Sequence, residues 1–99
     1  MLELLRTAAN FSETAAEVAR DKAEVCELLV NAAIFWEMAA NRASSQGEME
    51  RLLLMAASCY RKALAFTHDV AQQNDLFNKA ASRSREVEYA REVSKFEPT

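Results

Sequence analysis

The chain has 99 residues, of which 51% are apolar and 27% charged, with a formal net charge of −3, the balance of one small folded domain rather than of a disordered tail. No apolar run reaches the length that spans a bilayer, and Glu3 and Arg6 interrupt the stretch from Met1 to Phe11, so neither a membrane span nor a secretory leader is expected. Cys26 and Cys59 stand 33 residues apart with no CxxC or zinc-ligand spacing, which argues against a disulfide framework and for free thiols in a reducing, cytoplasmic compartment.

The first predicted helix covers residues 2–19 and carries Glu3-Leu4-Leu5 followed by Ala8-Ala9. This phrase returns at intervals of 24 residues, as Glu27-Leu28-Leu29 with Ala32-Ala33, Arg51-Leu52-Leu53 with Ala56-Ala57, and Asp75-Leu76-Phe77 with Ala80-Ala81. The second, third and fourth predicted helices cover residues 22–43, 46–67 and 70–95. Each opens on a capping pattern: Asp21-x-x-Glu24, Ser45-x-x-Glu48 and Asp69-x-x-Gln72 place a capping side chain three residues before a carboxylate or amide. Ala19–Ala23 contains neither Gly nor Pro, so a single helix from Leu2 to Ala43 is the alternative to a break there. Connections this short turn successive helices antiparallel. The expected fold is therefore all-α: one domain, residues 1–99, of four antiparallel helices in an up-down array built from a 24-residue helical repeat.

Within each unit a buried stripe is expected at helical spacing: Leu4, Ala8, Phe11, Ala15; Leu28, Ala32, Phe35, Ala39; and Leu52, Ala56, Cys59, Ala63. A flanking row is apolar in the middle units, as Leu29, Ala33, Trp36, Ala40 and Leu53, Ala57, Tyr60, Leu64. It becomes Phe77, Ala81, Ser84, Glu88 in the last, so the middle helices read as buried on two sides and the fourth as a polar cap. Arg83 falls where the other units have Phe11, Phe35 and Cys59, which predicts a last helix rotated or partly facing solvent.

Catalytic patterns are absent from the sequence. The lone histidine, His68, has no ExxH or HxxxH companion and is read as closing the end of the third helix. Glu13, Glu17 and Glu37 lack the i+3 histidine of a helical-bundle metal site and are read as solvated charges. The single glycine, Gly47, is read as turn chemistry beside Ser45. No catalytic residue, metal or cofactor is expected. Residues 1–49 carry eight acids and four bases, and residues 50–99 seven acids and eight bases. Glu86, Glu88 and Glu92 interleave with the bases of the last helix, so a solvated face is favoured over a phosphate-binding stripe and nucleic acid is not the expected partner.

Trp36, Gly47 and the run Cys59-Tyr60-Arg61-Lys62-Ala63-Leu64 resemble the helical hairpin of tetratricopeptide repeats, and the related hairpins of microtubule-interacting-and-trafficking domains, over residues 32–66. The resemblance implies a scaffold that holds short peptides or helices in grooves between its helices. On that reading the chain is a non-catalytic protein–protein interaction module. Trp36 and Tyr60 are its candidate apolar anchors for a protein or peptide partner, and Arg83 and Arg85 its candidate carboxylate ligands. Core packing is the competing role for both aromatics. The alternative function is structural: a helical bundle that closes its open apolar face by self-association into a homodimer.

Overall fold

A computed structural model describes residues 2–96; Met1 and residues 97–99, included in the single-domain reading, lie outside the described residues. The fold is all-α, with four helices and no strand among the described residues: α1 (Leu2–Val18), α2 (Lys22–Ala40), α3 (Gln46–Leu64) and α4 (Val70–Phe96).

Local chemistry explains the boundaries between successive helices. Asp21 is extended (φ −89°, ψ 126°) and its carboxylate accepts the Ala23 N–H at 3.0 Å, so α2 begins afresh and a continuous helix from Leu2 to Ala43 does not form. Ser45, also extended, accepts the Glu48 N–H at 3.2 Å, while the Glu48 carboxylate reaches back to the Ser44 N–H at 3.4 Å. That is the reciprocal arrangement foreseen from the Ser45/Glu48 spacing, shifted by one residue. Asp69 accepts the Ala71 N–H at 3.0 Å at the start of α4. Both middle helices end three residues before the sequence-based limits, because Arg42 and Ala43, and then Ala65 and Phe66, tighten into bonds to the third residue back. His68 is exposed. Beyond the end of α3, the Gln73 side-chain amide donates to the Thr67 carbonyl at 2.9 Å. Gly47 lies inside the first turn of α3 with no positive φ, so it is a helical residue and not a turn residue.

Packing follows chain order: α1 lies on α2, α2 on α3, and α3 on α4. The body measures 51 × 30 × 14 Å. Its core is alanine-rich, with Ala9, Ala32, Ala33, Ala39, Ala56, Ala57 and Ala63 fully covered, and its large buried side chains are Trp36, Tyr60, Leu76 and Val87 together with Leu5, Leu29, Leu52 and Leu53. Small residues at the contacts let helix axes approach closely, so these large side chains suffice to fill the remaining space.

Both apolar rows of α2 and α3 are wholly or half buried, whereas each end helix uses one row. On α1 the row that meets α2 is Leu5, Ala9, Ser12, Ala16, all buried, and the Ser12 hydroxyl donates to the Leu28 carbonyl at 2.6 Å. The row expected to be buried there is open instead: Leu4 is 68% and Phe11 76% exposed, with Ala8 and Ala15 half-buried. No helix lies on that side, and local patterning alone does not reveal the vacancy. Of the two expectations for α4, rotation does not occur, and partial exposure to solvent does, with Phe77 and Tyr89 open and Arg83 half-buried. Leu76, Ala80 and Val87 are buried in the row that includes Arg83, and Arg83 is accommodated by a carboxylate.

Candidate interaction surface

Two side-chain clusters built on the same plan bridge the helices. In the first, the Glu13 carboxylate of α1 accepts the Trp36 indole N–H of α2 at 3.1 Å and the Cys59 thiol of α3 at 3.4 Å. In the second, Glu37 of α2 accepts the Tyr60 hydroxyl of α3 at 3.1 Å and lies 3.2 Å from Arg83 Nε of α4. Every member of the second cluster stands 24 residues after its counterpart in the first. A third pair keeps the spacing, with the Arg61 guanidinium donating to the Ser84 hydroxyl at 2.8 Å.

These contacts revise the reading of Glu13 and Glu37 as solvated charges. Both are half-buried and satisfy polar atoms that would otherwise be costly inside an apolar core. The signal was present in the sequence, since the glutamates and the aromatics Trp36 and Tyr60 share one interval. What was missing was the knowledge that each pair spans adjacent helices.

The electrostatic consequences are local. Burial, and then the charge of Glu13 and the hydrogen bond to it, push the Cys59 thiol up to about 12. Burial followed by the charge of Glu37 likewise raises the Tyr60 hydroxyl, while the Lys79 ammonium sits 5.9 Å from the Tyr60 ring centroid. Cys26 is raised by burial. Such thiols are poor nucleophiles at neutral pH.

The four residues singled out from the sequence separate into two groups. Trp36 and Tyr60 are 1% and 2% exposed, so neither ring offers a surface to a partner. They are interior packing, in positions where truncation to alanine costs on the order of 3–5 kcal/mol. Arg83 is half-buried and held by Glu37 and by Glu86, the latter at 3.0 Å. Its Nε finds no aligned hydrogen-bond acceptor, so the link to Glu37 is an ion pair by distance. Arg85 alone is exposed, at the position equivalent to Glu13 and Glu37.

The surface the sequence did not flag is the open row of α1. Leu4, Phe11 and Val18 are 68%, 76% and 76% exposed, and with Ala8 and Ala15 between them they recur in steps of four and three, the spacing of a helix-packing seam. In chain order, the first four match in type Leu28, Ala32, Phe35 and Ala39 of α2, each 24 residues later in the sequence. At the other end of the molecule α4 exposes Phe77, Tyr89 and Val70, and a depression between α3 and α4 is lined by Arg61, Leu64, Phe77, Ala80 and Ala81. Among the described residues, no helix is long and apolar enough to cross a membrane and no three His, Cys, Asp or Glu side chains gather as a metal-binding group. No family model, curated protein or solved structure matches the chain.

Proposed function

We propose that the chain is a non-catalytic protein–protein interaction module whose docking surface is the open face of α1. The observation that carries this reading is the exposed Leu4-Phe11-Val18 stripe, large apolar side chains in a seam that elsewhere in the chain is covered by a neighbouring helix. The partner is an amphipathic helix laid along α1, contributing small and apolar residues as α2 does on the opposite side. Trp36 and Tyr60 hold the scaffold rigid, and Arg85, exposed on α4 at the other end of the molecule, takes no part in this docking face.

The architecture proposed beneath this function is an antiparallel up-down array of one 24-residue helical unit. The spacing of the two glutamate clusters and the short connections support it; the resemblance to tetratricopeptide-like hairpins bears only on the helical hairpin of residues 32–66. A cytoplasmic location is supported by Cys26 and Cys59, both buried free thiols.

The test is a photo-crosslinking side chain, a benzophenone analogue of phenylalanine, placed at Phe11 in cells that express the chain. Discrete adducts are expected at position 11. They should disappear when Leu4→Glu is added and be absent when the probe replaces the exposed Glu24. A probe at position 11 that captures no protein chain would overturn the reading.

A further inference from the structure

We propose, resting on the reading of α1 as a docking face, that its occupant is a second copy of this chain, bound head-to-tail on the outer face of α4. The argument is one of continuity. In each internal contact, a residue equivalent to Phe11 lies beside a side chain two helices earlier: Cys59 on Glu13, and Arg83 on Glu37. The next position in that series is Arg61, which already holds Ser84 as Glu13 holds Trp36. The side chain that would complete the series belongs to a helix docked on α4. In a second copy the residue at this position is Phe11.

The receiving surface fits it. Arg61, with Leu64, Phe77, Ala80 and Ala81, lines an open depression between α3 and α4. A related hollow at the other end is lined by Glu13, Ala16 and Leu29, the counterparts of Arg61, Leu64 and Phe77, but there Lys62 of α3 and Phe66 just beyond its end supply a third wall. The depression on α4 is the same feature without that wall. A docked α1 would supply it through Thr14 and Val18, the counterparts of Lys62 and Phe66, and would set the Phe11 ring, the counterpart of Cys59, beside the Arg61 guanidinium. The outward rows also correspond: α4 offers Phe77, Ala81 and Ser84 where α1 offers Leu5, Ala9 and Ser12 to α2. Charge agrees in sign, because α1 carries three acids against one base, and α4 five bases against four acids. Such a contact is heterologous, so it propagates into an open series or closes as a ring, in contrast to a symmetric dimer.

The experiment measures solution mass by light scattering across a hundredfold concentration range for the native chain, Phe11→Glu, Phe77→Glu and an equal mixture of the two variants. Both substituted residues are mostly exposed, 76% and 62%, and circular dichroism confirms that each variant folds. The native chain should gain mass with concentration, and each variant alone should be monomeric. The mixture should form a one-to-one pair through its single intact Phe11–α4 contact. A native chain that stays monomeric overturns self-association, and crosslinks from position 11 to a different protein would then still uphold the docking face. A native dimer abolished by Phe11→Glu but unaffected by Phe77→Glu, with no pairing in the mixture, overturns the head-to-tail geometry in favour of symmetric α1 pairing.

Discussion

At the scale of single residues, the two glutamate clusters set the chain's response to alkali. The Cys59 thiol has an ordinary value of 9.0 and is pushed up to about 12 in the folded chain, first by burial and then by Glu13. The folded state therefore holds this proton more tightly than the unfolded state does. Its contribution to stability is fully present below about pH 9 and is lost as pH rises through about 12. Tyr60, raised by burial and by Glu37, acts in the same direction. The urea midpoint should accordingly hold steady from neutral pH to about 9 and fall above it, with a shallower fall in Cys59→Ala. Parallel curves for the two proteins would remove Cys59 from the account. Neither cluster was legible residue by residue: Glu13 and Glu37 look like ordinary helix-surface charges until the partner helix places an indole or a phenol within 3.1 Å.

At the scale of elements, helix starts were easy to read because a cap acts over three or four residues, and Ser45 with Glu48 carries its own instruction. Helix ends were overestimated by three residues in α2 and α3, since alanine and arginine there are good helix formers and only the tightened bonds after Ala40 and Leu64 close the helix. Burial was legible wherever a neighbour exists on both sides. It failed on α1, whose Leu4, Ala8, Phe11 and Ala15 match the types of Leu28, Ala32, Phe35 and Ala39 although only the latter row has a helix beside it. Gly47 was misread for a related reason: glycine after a capping serine suggests a turn, yet here it is the second residue of α3. A methyl group added at Gly47 meets nothing within 4 Å, and no positive φ is required. Gly47→Ala should therefore stabilise the chain by about 0.4–1 kcal/mol, read as a rise in the urea midpoint at unchanged slope. A loss of stability would show that this turn needs glycine's freedom.

At the scale of the whole molecule, stability is distributed by neighbourhood. Contacts run only between helices adjacent in the chain, with side chains such as Glu13 and Glu37 reaching one helix further, so each helix is held mainly by the one or two beside it. Both α2 and α3 are covered on two sides and contain Trp36, Tyr60 and most of the fully buried alanines; α1 and α4 are covered on one. Local opening should follow that order. Amide hydrogen exchange in dilute solution should be slowest in the centres of α2 and α3 and faster in α1 and in the C-terminal half of α4. Raising the concentration should then slow exchange in α1 and α4 together, leaving α2 and α3 unchanged, because a copy docked head-to-tail covers one end helix of each molecule it joins. Slowing in α1 alone would point instead to symmetric pairing through Leu4 and Phe11. An α1 already as protected as α2 in dilute solution would mean that its interface with α2 suffices by itself, and that the exposed stripe adds nothing to holding the helix in place.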